Sequence, residues 1–316
     1  MAWPCRPEIW LDGLDPARKA YAEVASAIAR FEPVVMAVRP EDAESAQTML
    51  APGIEIWPVA LDDSWARDIA PVFVSKKGAV AGVAWGFNAW GERYQGYDAD
   101  AAFATKLLER QHLKRFEGGM VLEGGAIAVN ERGTLMATEE CLLNPNRNPD
   151  LKRAAIERRL ADALGVTHVL WLGQGLAGDE TDGHIDNVAC FAEGGRVLLA
   201  MPRDRGDPSG PAMRENAARL REARDSEGRS FTPIDVPLPK LREGPDGRSL
   251  TRSYINFALA KGGLVIPAFG DPADDVAAAI IAGAFPHRRV VQVDANPIVI
   301  GGGGIHCITY EEPVAP

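Results

Sequence analysis

The chain has 316 residues and a formal charge of −10, with 46% hydrophobic and 25% charged residues, proportions of a globular protein long enough for a large core. The acidic balance argues against nucleic acid as main partner and suits a small cation, whose local concentration a negative cleft raises. The longest apolar stretch, Val276 to Phe285, is too short to span a bilayer, and the first residues lack a basic segment followed by an apolar run, so neither a membrane span nor a signal peptide is expected.

Taken in chain order, the elements repeat. A helical segment covers Asp15 to Phe31. Pro71 to Val83 then reads as an apolar strand, a polar Gly-containing turn and a second apolar strand, and a helix over Asp98–Arg115 follows. The second hairpin is Gly125 to Ala137, with a helix over Asn148–Leu164 and a strand from His168. The third is Asn187 to Leu199 with a helix over Ser209–Arg224, and the fourth is Tyr254 to Ile266 with a helix over Asp271–Phe285 and a strand from Arg289. Asn148-Pro and Asp271-Pro place a capping side chain just before a Pro in the first turn. The turn glycines Gly78, Gly133, Gly195 and Gly263 stand 55, 62 and 68 residues apart. A fifth strand-rich unit, Ile298 to Tyr310, has no helix after it, and Asp15–Phe31 supplies the missing one. Such a repeat closes into a ring without exposed sheet edges, so the expected fold is an α/β propeller of five ββαβ-type repeats, one domain over residues 1–316. An ordinary α/β sandwich is the alternative.

Polar residues stand where each hairpin starts: Trp65, Arg67 and Asp68; Glu123; His184, Asp186 and Asn187; Asn256; His306 and Cys307. Singly, an Asp before a strand is usually a cap, a His structural, and a buried Cys an inert small hydrophobe, as Cys141 and Cys190 read in their apolar runs. Recurrence at one place in the repeat points instead to a central pocket. In it, His184 and Asp186 would share one face of a strand. Asp68 and Asp186 suit the nitrogens of a planar guanidinium, Cys307 would attack its carbon as thiolate, and His184, oriented by Glu123, would protonate departing ammonia and activate water. His306 would point to the opposite face of its strand. This chemistry needs no metal and no cofactor. The four cysteines, Cys5, Cys141, Cys190 and Cys307, lack CxxC spacing, which disfavours structural zinc and a disulfide scaffold and fits reduced thiols in the cytoplasm.

With these residues in view the chain resembles the agmatine deiminase family, within the bacterial peptidylarginine deiminase group of guanidine-modifying enzymes. The resemblance runs nearly end to end, through Asp62-Asp-Ser-Trp-Ala-Arg-Asp68, Trp85-Gly-Phe-Asn-Ala-Trp90, Val121-Leu-Glu-Gly-Gly125, the stretch from Thr138 to Pro149, Gly183-His-Ile-Asp-Asn187, Phe269-Gly-Asp-Pro272 and Gly301 to Thr309. It implies the five-bladed pentein propeller, no metal, and hydrolysis of agmatine to N-carbamoylputrescine and ammonia for polyamine synthesis. It also implies Cys307 as nucleophile, His184 as catalytic histidine, Asp68, Asp186 and Glu123 as the site carboxylates, Trp65 along the substrate alkyl chain and Glu180 near the substrate amine. A homo-oligomer stays open. The chain departs from the family at Gly304, where Asn is usual before Ile-His-Cys, in the tail Tyr310-Glu-Glu312, and over Gly91–Asp98.

An agmatine pocket should offer acids to the distal ammonium, an arginine pocket cations to a carboxylate. Asp62, Asp179, Glu180, Trp90 and Gly304 join Trp65 as expected substrate-binding positions, with Glu311 or Glu312 as further acids. Arg93 and Arg252 would favour arginine or peptidylarginine instead. The long polar stretch from Pro239 is expected to border the pocket. An amidinotransferase, which would form the same S-alkylthiouronium on Cys307 but pass the group to an amine instead of water, and a non-catalytic binding propeller are the remaining alternatives.

Overall fold

A computed structural model describes residues 1–313. The chain opens with helix α1 (Leu14–Ala29), followed by a parallel pair, β1 (Val35–Val38) and β2 (Glu55–Pro58), joined by helix α2 (Ala43–Met49). Four modules of one design follow. In the first, β3 (Val72–Lys76) and β4 (Ala79–Gly86) form an antiparallel hairpin, helix α3 (Phe103–Arg110) crosses over, and β5 (Lys114–Val121) returns parallel to β4. The second repeats this with β6 (Ala128–Val129), β7 (Thr134–Thr138), helix α4 (Arg153–Leu164) and β8 (His168–Leu172). The third uses β9 (Ala189–Ala192), β10 (Arg196–Met201), helix α5 (Gly210–Glu222) and β11 (Thr232–Pro237). The fourth uses β12 (Ala258–Ala260), β13 (Gly263–Ala268), helix α6 (Asp274–Ala284) and β14 (Arg289–Asp294).

The middle strand of each module pairs on both sides, which explains its composition. β10 and β13 read Arg-Val-Leu-Leu-Ala-Met and Gly-Leu-Val-Ile-Pro-Ala and are buried almost throughout. A strand covered on both faces loses the alternation that marks a half-exposed one. The parallel third strand requires a crossover, and each helix supplies it. With the N-terminal β1–β2 sheet the described residues form five small sheets, as the expected five-bladed α/β propeller requires.

Several local expectations are corrected. Asn148 caps no helix: α4 begins at Arg153, and the Asn148 amide exchanges two hydrogen bonds with the backbone of Val121 at the end of β5. The helix expected to reach Arg115 stops at Arg110, because β5 already begins at Lys114. In the fourth hairpin the left-handed turn residue is Gly262 (φ +76°), and Gly263 is the first residue of β13. The fifth unit differs most. Residues 298–310 form no strand; the fifth sheet is β1–β2, its crossover helix is α2, and α1 packs instead on β13, β14 and the one-turn helix Asn296–Val299. The segment after Gly301 closes the ring through backbone and charge: Arg67 N–H donates to the Cys307 carbonyl at 3.0 Å, and the Arg67 guanidinium pairs with Glu311 at 2.7 Å. No helix among the described residues is long and apolar enough to cross a membrane.

An acidic node fastens the first module. Asp62 accepts from Ala99 N–H at 2.7 Å, Asp100 accepts from Asp62 N–H at 2.9 Å, and Asp63 accepts from Ser64 N–H at 2.8 Å with Arg6 3.4 Å away. Burial pushes the Asp63 and Asp100 carboxyls up to about 7. The folded chain therefore holds more protons than the unfolded one between about pH 4 and that value, so these groups make stability fall as pH rises through the window. Asp100→Asn removes one titrating group while keeping an oxygen for the Asp62 N–H. Thermal unfolding followed by circular dichroism should show a smaller decline in Tm between pH 5 and 8 for this variant than for the parent; equal declines would exclude Asp100 as a contributor.

Candidate active site

Short helical turns stand at the entries of three modules: Ala66–Ile69 before β3, Gly124–Ala126 before β6 and Ile185–Val188 before β9. Each reverses the chain at the inner end of its sheet, and each carries a site residue. Asp68 lies within the first, Glu123 immediately precedes the second, and His184 precedes the third, which contains Asp186. Asn256 precedes β12 by two residues, and Cys307 lies in a turn of the closing segment. His184 and Asp186 are thus neighbours through a helical turn and not through strand alternation. The same holds for His306 and Cys307: no strand separates their faces, and His306 Nδ1 is hydrogen-bonded to Asp186 Oδ2 at 2.8 Å.

All five sequence-derived catalytic candidates are buried together. Gly125 shows how tightly three of them converge. A Cβ there would lie 2.6 Å from His184 Nδ1, 2.9 Å from Asp68 Oδ1 and 3.0 Å from Asp186 Oδ2, so only glycine leaves this space to the functional side chains. Asp68 is held by two donors, Gly125 N–H on Oδ1 and Trp90 Nε1–H on Oδ2, both at 2.9 Å. Ala89 and Trp90 adopt left-handed backbone (φ +51° and +57°) where the chain presents that indole to Asp68, strain of the kind that sites retain. The Cys307 thiol is 3.2 Å from Asn256 Nδ2 and 3.5 Å from Asp186 Oδ2.

The charges set opposing proton affinities. Burial raises the Cys307 thiol well above its ordinary range; the Asp186 and Asp68 charges add to this, and the Asn256 amide opposes it. Burial would lower His184, but the charge of Asp68, 3.8 Å away, followed by Cys141 and Glu123, outweighs it and holds the imidazole well above its usual pKa. Asp186 is lowered despite burial, through His306 first. Burial and the neighbouring charges thus favour the proton on both the imidazole and the thiol, and burial raises Asp68 as well. Glu123 Oε2, both His184 ring nitrogens and Asp186 Oδ1 find no hydrogen-bond partner among the described residues.

A narrow cavity leads outward from Cys307 and Asp68 past Trp65, Trp90 and Tyr94 to Glu180, Thr181 and Arg93. Trp65, braced by stacking on Trp10, forms one wall. Of the expected substrate-binding residues, Trp65, Trp90 and Glu180 line this space, whereas Asp62 and Asp179 do not. Asp62 is committed to the N–H groups of Ala99 and Asp100, and Asp179 accepts from Thr181 and from Asn187 Nδ2. Gly304 lies behind the nucleophile: a Cβ there would approach Asn256 Oδ1 to 2.4 Å, so a side chain at 304 requires Asn256 to move. Glu311 is taken by Arg67, Glu312 accepts from Gln111, and Arg252 donates to the Lys240 carbonyl and covers Phe269.

Arg147 and Cys141 were not legible as site residues, and Asn256, expected at the pocket from its hairpin entry, makes contacts the sequence did not show. Arg147, fully buried, donates to Glu123 Oε1 at 2.7 Å and reaches Asp182 at 2.5 Å, so Glu123 is held by Arg147 and not by His184. Asn256 bridges, its amide oxygen accepting from His306 N–H at 2.8 Å while its NH₂ reaches the thiol. Its recurrence at a hairpin entry was the available signal. Cys141, placed in the core by its apolar run, lies beside His184. Glu123, Cys141 and His184 bring donor atoms within 4.8 Å of one another, the arrangement here that could offer ligands to a metal ion, but the Arg147 guanidinium occupies one Glu123 oxygen and its charge opposes a cation there.

The sequence profile of the Porphyromonas-type peptidyl-arginine deiminase family matches residues 1–313. Agmatine deiminase of Pseudomonas aeruginosa is 43% identical, over 99% of this chain and 92% of its own. Agmatine deiminase of Enterococcus faecalis, solved while catalysing its reaction, superimposes with a TM-score of 0.95 at 36% identity, covering 99% of this chain and 92% of that one. A cysteine-to-serine variant of C. jejuni agmatine deiminase with substrate bound does so with a TM-score of 0.87 at 26% identity, over 97% and 90% of the two chains. Family profile, full-length relatives and superimposed folds agree, and the chain belongs to the Porphyromonas-type peptidyl-arginine deiminase family.

Proposed function

We propose that this chain hydrolyses agmatine to N-carbamoylputrescine and ammonia through a covalent intermediate on Cys307. The observation that carries the reading is the burial together of one thiol, one imidazole and three carboxylates, with Cys307 and Asp68 opening onto a cavity that also holds Glu180. The full-length relatives named agmatine deiminase support the choice of substrate. Four free cysteines fit a reducing cytoplasm.

In this reading Asp68 and Asp186 take the guanidinium nitrogens, Trp65 lies along the alkyl chain and Glu180 meets the distal ammonium. The cation offsets the two carboxylate charges that raise the thiol, so Cys307 releases its proton to solvent as substrate enters and regains one when product leaves. The thiolate adds to the guanidinium carbon, forming the C–S bond. His184 gives its proton to one nitrogen, the C–N bond breaks and ammonia leaves an S-alkylthiouronium. Water then adds to the same carbon with its proton passing to His184, and collapse expels the thiolate and yields the urea product; ammonia carries the remaining proton away. Glu123, fixed by Arg147, contributes its charge to keeping His184 protonated for the first step.

Arg93 at the cavity mouth favours one second reading, in which a substrate carboxylate is recognised and arginine is turned over. Ammonia release from agmatine, free arginine and a C-terminal-arginine peptide separates the two, and agmatine as the slowest would overturn the proposal. Cys307→Ser should abolish ammonia release from agmatine yet still bind it by calorimetry; residual turnover near the parent's would remove Cys307 as nucleophile.

Two further outcomes follow from the geometry. Gly125→Ala should fold, with Tm close to the parent's, but lose on the order of 100-fold in kcat/KM, the cost of displacing reacting groups by about 1 Å. Because the free-enzyme thiol titrates high and the complexed one lower, the rising limb of kcat/KM should lie at higher pH than that of kcat. Asn256→Ala removes the donor that opposes this shift, so its kcat/KM limb should move further upward, with a loss of roughly 10-fold or more from the missing thiolate hydrogen bond. A limb unmoved by this substitution would show that Asn256 does not act on the thiol.

A further inference from the structure

The polar stretch beyond β11 is folded. Glu243 and Ser249 form an antiparallel bridge, and Gly244 N–H and Leu250 N–H donate to the carbonyls of Arg248 and Arg242, making a small hairpin over residues 242–250. The hairpin is fastened to the loop carrying Glu180: Thr251 Oγ1 donates to the Gly178 carbonyl, and Ser249 packs on Gly178. From it Arg248 reaches across and donates to Glu180 Oε1, and also to Asp246. The other oxygen of Glu180 accepts from Tyr94 OH at 3.1 Å, and Arg93 Nη2 is 3.6 Å from Oε1. The acid at the cavity mouth is therefore already neutralised by a guanidinium of the same chain.

We propose that Arg248 is an internal competitor for Glu180 and sets the enzyme's discrimination for guanidines with a cationic far end. This rests on the reading of Glu180 as the acid that meets the distal ammonium. Glu180 is 18% exposed and Arg248 53% exposed, so the pair is open to exchange, whereas Arg67 and Arg147 are buried in theirs. A substrate ammonium arriving at Glu180 must displace Arg248, which then retains Asp246 as partner. Affinity for the charged tail is the difference between two ion pairs and not the strength of one. A neutral-tailed guanidine leaves Arg248 in place and is indifferent to it.

The test compares agmatine with n-butylguanidine, which has the same reacting group and no ammonium. Arg248→Ala should lower KM for agmatine by about two- to five-fold, the range of a partly exposed ion pair, leaving kcat and the n-butylguanidine KM unchanged. Arg248→Lys, which keeps the charge, should stay near the parent. An agmatine KM that is unchanged or raised in Arg248→Ala, or equal shifts for both guanidines, would overturn the proposal. The Kd of agmatine measured by calorimetry in Cys307→Ser, with and without Arg248→Ala, reads the competition without turnover. Absence of ammonia release in the parent would thus defeat the deiminase reading alone, while equal Kd values or no binding in both backgrounds would defeat the role of Arg248.

Discussion

Three carboxylates buried around a thiol and an imidazole, away from water, are the constraint to which the rest of the molecule answers. Each such charge carries a desolvation penalty of several kcal/mol unless it is paired or hydrogen-bonded. Glu123 is answered by the buried Arg147, Asp186 by His306, and Asp68 by two N–H donors and the imidazole of His184. These partners come from widely separated segments. Arg147 follows the second hairpin, Trp90 the first, and His306 belongs to the closing segment. The site and the ring therefore stabilise each other: modules out of register would strand charges in a dry interior. What the pairing leaves uncompensated is the charge that the proposed guanidinium substrate would supply.

The periodic part of this architecture was legible in the sequence. Four hairpins with glycine turns, their helices and the entry residues Asp68, Glu123, His184 and Asp186 fall where the repeat places them, because strand alternation and helix start signals are local properties. The reading failed where tertiary demand overrides local signal. Asn148-Pro resembles a helix cap, but the Asn148 amide is worth more closing the end of β5. Ile298 to Tyr310 is apolar enough for a strand, yet it runs as turns because the site needs its backbone beside Arg67 and Asn256.

The same limit explains the misplaced polar residues. Asp62 and Asp179 carry the charge expected of a cation pocket, and nothing within one sequence reveals that neighbouring N–H groups already claim them. Arg147 escaped notice for the converse reason: its partner Glu123 lies 24 residues away, beyond the reach of any periodicity, whereas Asn256 was marked by its hairpin entry and only its contact with the thiol, 51 residues away, was not. His306 was discounted by a strand argument that holds only where a strand exists.

The nucleophile sits on the closing segment, bonded back to the first module through the Cys307 carbonyl and Arg67. Domains emerge and begin to fold from the N-terminal side during synthesis. A growing chain can therefore complete all four hairpin modules, and their carboxylates, while still lacking its thiol. Chemical competence comes only with the stretch that seals the ring, so a chain that has passed its fourth module can hold the site's carboxylates and still be inert. Any cut that frees residues after Gly301 returns the protein to that condition.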